Sequence, residues 1–121
     1  MGGIESYNKI ASFSSRGMTT WELPAGYGRV KPDITTFVSM VYGSGLNGEC
    51  QTLSGTSVGA PVVSGAIALL LSSMDASQRY KMNPASVKQA LMESADRIDD
   101  ANMFEQGHGR LNLIKAYSVC S

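Results

Sequence analysis

Several kinds of protein are excluded by what this chain has little of. It carries two cysteines, Cys50 and Cys120, among 121 residues, too few for a disulfide-stapled scaffold. The two could bond to each other, bond elsewhere or stay as thiols, and Cys120 also suits the role of a small packed hydrophobe. Ten basic and ten acidic residues leave no net charge, so neither a nucleic acid nor an anionic membrane is indicated as partner. No apolar run reaches the length of a membrane span. The start, Met1-Gly2-Gly3, lacks the charged opening and apolar core of a signal peptide. No cluster of oxygen ligands marks a calcium site. Histidine, the commonest general base, occurs once, as His108. What remains is a length suited to one domain with a real core.

The organising stretch is Leu53-Ser54-Gly55-Thr56-Ser57-Val58-Gly59-Ala60-Pro61, followed by the apolar residues 62–71. It reads as a short strand, a tight glycine turn and a long helix. Ser57 falls where a helix leaves its first N–H groups unpaired and its dipole favours negative charge. A serine attacking a carbonyl creates an oxyanion beside its own backbone, so this is a suitable place for a nucleophile. Gly55 removes a side chain that would crowd the turn, and Pro61 costs little in the first turn. The plainer alternative is that Ser57 or Thr56 only caps the helix. The helix is apolar nearly all round over 58–71, which predicts burial in a core.

In chain order, residues 1–4 suggest the end of a strand, and Ser6-Tyr7-Asn8-Lys9 a polar turn. Ile10-Ala11-Ser12-Phe13 alternates as a short strand does. Residues 16–30 form a loop with Trp21, Pro24 and Tyr27, the tryptophan lining a binding surface or covering the core. Residues 32–41 are rich in β-branched residues and predict a strand, and the glycine-rich 42–49 a flexible loop. Residues 75–81 are a polar connector. Asn83-Pro84 opens a helix, with Val87, Ala90, Leu91, Ser94 and Ala95 inward. Asp96, Asp99 and Asp100 sit in an acidic loop whose simplest state is solvation. Gly107-His108-Gly109 is a turn, and Asn112 caps a last helix with Leu113, Ala116 and Tyr117 inward. Helices beside a few short strands predict an α/β layer fold.

Gly55-Thr56-Ser57-Val58-Gly59-Ala60-Pro61-Val62-Val63-Ser64-Gly65 resembles the serine motif of the subtilisin-like proteases. Gly59 departs from it, where the family usually has Ala or Ser. Ala11-Ser12-Phe13-Ser14-Ser15-Arg16-Gly17, Lys31-Pro32-Asp33-Ile34 and Gly107-His108-Gly109-Arg110-Leu111-Asn112 are similar to further family segments. Thr36-Phe37-Val38 stands where most members have Ala-Pro-Gly. Two more strings, Arg16 to Pro24 and Asn102 to Gly109, resemble a secretory-pathway branch that cleaves membrane-bound transcription factors.

The resemblance implies the C-terminal part, residues 1–121, of a three-layer α/β catalytic domain, a parallel sheet flanked by helices, incomplete as given. It implies a serine endopeptidase acting through an acyl-enzyme, with Ser57 as nucleophile and Gly55 and Thr56 supporting the turn. The Asp, the His and the oxyanion Asn would precede Met1, because the triad order is Asp, His, Ser and no histidine precedes Ser57. The chain alone is then expected to be inactive. The implied partners are a peptide or protein substrate and the upstream part of the same domain. The implied location is the Golgi or endoplasmic reticulum, with a membrane anchor in the full-length protein. No cofactor is needed for the reaction, although structural calcium is frequent in the family.

Two rivals remain. Gly55-Thr56-Ser57-Val58-Gly59 also fits the Gly-x-Ser-x-Gly elbow of α/β-hydrolases, in which Asp96, Asp99 or Asp100 would orient His108 as base. Alternatively, the chain is an interaction module without chemistry.

Overall fold

The computed structural model describes residues 1–17 and 30–120; the expected loop side chains Trp21, Pro24 and Tyr27 lie outside them. Two strands pair in parallel: β1 (Gly2–Ile4) and β2 (Thr35–Phe37), with Gly3 opposite Thr36. Thr35 also pairs on its other side. Its N–H donates to the Gly109 carbonyl (2.8 Å), and its carbonyl accepts from the Leu111 N–H (2.8 Å). β2 is therefore central among the described residues. A parallel pair needs a long crossover, and residues 5–34 supply it.

Side chains alternate across a strand, which sorts the two faces. Thr36 and Val38 point to one face, where α1 (Thr56–Ser72) crosses. Ile4 points to the other, against Ile98 and Ala101, with Ile10 alongside. Gly59 lies where α1 meets the sheet. A Cβ there would stand 2.9 Å from Val38 Cγ1 and 3.2 Å from Thr36 Cγ2. That contact gives a physical reason for glycine where the family usually has Ala or Ser. The main core joins Ile34, just before β2, Leu70 of α1, Met74 just after it, Val87 and Leu91 of α3 (Pro84–Ser94) and Ala116 of α5 (Leu113–Cys120). The result is an α/β arrangement, a parallel sheet flanked by helices, forming part of a larger layer fold.

Some local signals hold. Asn83 caps α3 in a reciprocal box with Ser86, each side chain 2.9 Å from the other's backbone N–H. Val87, Ala90, Leu91 and Ser94 are buried as expected. Asn112 Oδ1 accepts from the Lys115 N–H (3.0 Å) at the start of α5.

Other expectations are corrected. Residues 10–13 make no strand; Ile10 forms one bridge to Ile4 and the chain then turns. The strand expected over 32–41 is cut to β2, because the chain reverses at Ser39-Met40, with Met40 at φ 52. The glycine-rich stretch after it is ordered as an antiparallel hairpin, β3 (Val41–Ser44) and β4 (Cys50–Leu53). Asn47 and Gly48 take left-handed backbones at its tip, the Asn-Gly hairpin signal. The connector before Asn83 contains a short helix, α2 (Ala76–Lys81). Tyr117 is half exposed, since α5 turns Ala116 inward instead.

The largest correction concerns α1. Only Gly59 and Leu70 are buried along it, and Val63, Ile67 and Leu71 are partly so. Those positions recur at helical spacing and form one stripe. Val62 and Leu69, on other faces, are exposed. An all-apolar helix is buried all round only if neighbours surround it, and these elements cover one side. Cys50 and Cys120 are both free thiols; Cys120 packs on the core, and burial pushes its pKa up.

α4 (Met103–Gln106) ends in Gln106, whose fully buried side chain accepts from the Ile98 N–H (2.7 Å) and donates to the Ile98 and Ala101 carbonyls. Gln106→Leu leaves three buried backbone groups without these partners. At about 1–3 kcal/mol for each unsatisfied group, a loss of about 3 kcal/mol or more is expected, read as a lower urea midpoint at unchanged slope.

Candidate functional site

Ser57 is the second residue of α1 and is exposed. Gly55 stands at the N-cap and makes no side-chain cap, so Ser57 lies inside the helix rather than capping it. Gly55 has φ 150 and ψ 153, a region left to glycine. A Cβ there would meet no atom closer than 4.0 Å; the requirement comes from the backbone, not from crowding. At the helix start the Val58 N–H donates to the Gly55 carbonyl (3.0 Å), while the N–H groups of Thr56 and Ser57 precede the helical ladder, at the positive end of the helix dipole.

Three tethers hold this turn. The Gly55 N–H donates to the Val38 carbonyl (2.8 Å), fixing the turn to the C-terminal end of β2. The Ser54 hydroxyl oxygen accepts from the Met40 N–H (2.8 Å). Thr56 Oγ1 donates to the Phe13 carbonyl (3.4 Å) and accepts from the Ser15 N–H (3.3 Å). The next residue along, Ser14, is buried and accepts from the Gly3 N–H of β1 (2.8 Å). The Ser-Phe-Ser-Ser segment is thereby a strap from the sheet to the serine turn. Sequence reading left this strap without a physical role, because its bonds to Thr56 span more than forty positions.

The elbow arrangement does not assemble. The His108 N–H donates to the Asp33 carbonyl (2.9 Å), which places it at the other end of β2 from Ser57. Asp33 and Val38 are five residues apart in extended chain, about 16 Å at the rise of a strand. Asp96 is engaged by the Lys115 ammonium, by Asn112 Nδ2 (2.8 Å) and by Arg110 (3.4 Å), while Asp99 and Asp100 are exposed.

The hydrogen bond from Lys115, then that from Asn112, draws the Asp96 pKa down from 3.8 to about 2. A depressed carboxyl adds stability above its unfolded pKa and loses it as pH falls through the folded one. The Asp96 contribution is thus expected to fade between pH 4 and 2. The group is partly exposed, so the effect is modest and weaker in salt. Melting temperatures across that window, against Asp96→Asn, measure it. At Asp33, burial works to raise the pKa, but Lys31 (2.9 Å) and Lys88 (3.6 Å) outweigh it and hold the carboxyl below its ordinary value.

A cleft of about 570 Å³ opens between α1 and α3, lined by Met1, Ile34, Ile67, Met82, Val87 and Leu91 among others. It is apolar and Ser57 is not part of it. Among the described residues no group of three or more His, Cys, Asp or Glu stands together as a metal site. No helix described is long and apolar enough to cross a membrane.

Comparison with known proteins agrees with the geometry. The sequence model of the Subtilase family matches residues 1–109. Membrane-bound transcription factor site-1 protease of Mus musculus is 60% identical over 121 residues, all of this chain and 11% of that protein. Subtilisin-like protease SBT6.1 of Arabidopsis thaliana is 51% identical over 120 residues, 98% of this chain and 12% of that protein. The chain thus spans about a tenth of the length of these curated relatives. Among solved structures, the prenylagaramide maturation protease PagA superposes with a TM-score of 0.76 at 29% identity, over 99% of this chain and 41% of that one. The Clostridium perfringens CspB protease superposes with a TM-score of 0.83 at 25% identity, over 98% of this chain and 26% of that one. By sequence and by fold, the chain belongs to the subtilase family.

Proposed function

We propose that residues 1–121 are the C-terminal part of the catalytic domain of a subtilisin-like serine endopeptidase and supply its nucleophile, Ser57. The observation that carries this is the Gly55-Thr56-Ser57 turn, held to the end of β2 with an exposed serine at the start of a long helix. In this reading the Ser57 hydroxyl oxygen attacks the scissile carbonyl. The Ser57 backbone N–H then helps to hold the oxyanion in an ester-linked acyl-enzyme pathway. A serine needs a base to take its proton and a third group to orient that base. His108 stands at the wrong end of β2, so the His, its Asp and the oxyanion Asn come from outside these residues. The 121 residues alone therefore turn over no peptide.

By similarity to site-1 protease, the substrates are membrane-bound precursor proteins, and the whole protein works in the Golgi or endoplasmic reticulum behind a membrane anchor. The reaction needs no cofactor. Structural calcium, implied by the family, finds no ligand cluster in the described residues, and no step runs through it.

Covalent labelling with a fluorophosphonate tests the reading. Labelling is expected in the longest natural form of the protein and not in the 121 residues alone, and Ser57→Ala abolishes it. Labelling of the short chain would mean that a base lies within it and would overturn the reading.

A further inference from the structure

We propose that Ser54 is a positioning residue for the nucleophile turn, its hydroxyl locking the left-handed Met40 corner to the start of α1; this rests on Ser57 being the nucleophile. The chain leaves β2 at Val38 and must reverse before β3. It does so through Met40 at φ 52, a conformation that L residues with side chains avoid. The Met40 side chain is 76% exposed, so packing does not hold it there. What holds the corner is the hydrogen bond from the Met40 N–H to Ser54 Oγ, 2.8 Å.

The position of that bond gives it its role. The hairpin ladder ends with Val41 opposite Leu53. Two residues past Leu53, the Gly55 N–H reaches the Val38 carbonyl. Between these two links, the Ser54 hydroxyl takes the Met40 N–H, where the turned backbone no longer runs alongside as a strand. Ser54 thus joins the hairpin to the helix turn, three residues before Ser57. Strained backbone persists where its surroundings over-determine it, and such places cluster at active sites. Without the hydroxyl, the Ser54-Gly55 backbone and the Met40 corner are joined only through the flanking Leu53–Val41 and Gly55–Val38 links, and the stretch between them gains freedom. Ser57 then loses its register with the base and with the scissile carbonyl. Small misplacements of reacting groups cost up to about 100-fold in rate.

The test is steady-state kinetics and fluorophosphonate labelling of the longest natural form of the protein. Ser54→Ala is expected to lower kcat about 10- to 100-fold, with KM within about twofold. Ser54→Thr, which keeps the hydroxyl on a strand-compatible side chain, restores most of it. Met40→Gly, which takes the left-handed backbone without strain, recovers part of the Ser54→Ala loss when the two are combined; a residue contacting the substrate directly would show no such rescue from position 40. Unchanged kcat in Ser54→Ala, or no coupling to position 40, overturns the proposal while leaving Ser57 in place. Turnover or labelling that survives Ser57→Ala, or is absent from the wild-type protein, overturns both readings.

Discussion

Ser57→Ala in the longest natural form of the protein is expected to lower kcat by about 10⁶-fold, a magnitude measured for subtilisin, a member of this family, rather than derived from the geometry here. KM should change little, because the side chain removed makes its decisive bond only during the reaction. Stability should also change little. Ser57 is exposed within α1, and substitutions at such sites usually stay within about 0.5 kcal/mol. This combination separates the nucleophile from the cap. A serine that only capped the helix would cost about 1 kcal/mol on truncation and leave kcat alone. The cap position belongs to Gly55, whose φ of 150 admits little else, so the structure leaves Ser57 no capping role to lose. Side-by-side kinetics and urea unfolding of the variant decide between the two.

The parts of this fold that were legible in the sequence are those fixed by neighbours in the chain. α3 announces itself through Asn83, Pro84 and a helical stripe of apolar residues, and the structure returns the cap and the stripe together. The strand–turn–helix around Ser57 was legible for the same reason, since Gly55 and the apolar run act locally; Pro61, expected in the first turn, instead falls at the sixth residue of α1, where it removes a bond to the Ser57 carbonyl. The hairpin was not. Gly43, Gly45 and Gly48 suggest a flexible loop, yet the pairing of Val41 with Leu53 orders the stretch as a hairpin. Nor was the exposure of α1, since the sequence records how apolar the helix is but not how many of its faces find a neighbour. At the site, the position of Ser57 could be read but its supports could not. Thr56 bonds to Phe13 and Ser15, more than forty positions away, and Ser14 bonds to Gly3, eleven away; no local periodicity encodes these contacts. The His108 alternative failed on the same ground. The spacing allowed an elbow triad, but the anchoring of the histidine to Asp33 put it at the far end of the strand.

That anchoring makes Gly107 the position where one methyl group should do most structural harm. Gly107 closes α4 with φ 61 and ψ −117, outside the basins open to other residues. A Cβ there would collide with the Pro32 carbonyl oxygen and stand 2.6 Å from that of Asp33. Both are backbone atoms, which cannot swing aside as a side-chain tip can. The segment cannot retreat without loss, because the next residues are bonded to β2 in sequence. His108 N–H meets the Asp33 carbonyl at 2.9 Å, Gly109 takes the Thr35 N–H at 2.8 Å, and Leu111 N–H meets the Thr35 carbonyl at 2.8 Å. Backbone strain alone costs about 1–3 kcal/mol. With the clash and the lost bonds, Gly107→Ala is expected to exceed about 4 kcal/mol, the diagnostic tail of single substitutions and a large share of a stability of about 5–15 kcal/mol. The damage should also reach the chemistry, because Val38 directly follows β2 and its carbonyl holds Gly55. The neighbouring variant His108→Ala provides the contrast. It keeps the backbone bond and removes only an exposed ring, so both stability and turnover should be preserved. Urea unfolding and fluorophosphonate labelling of the two variants together would show whether the turn serves through its backbone, as the bonds to Asp33 and Thr35 require, or through its imidazole.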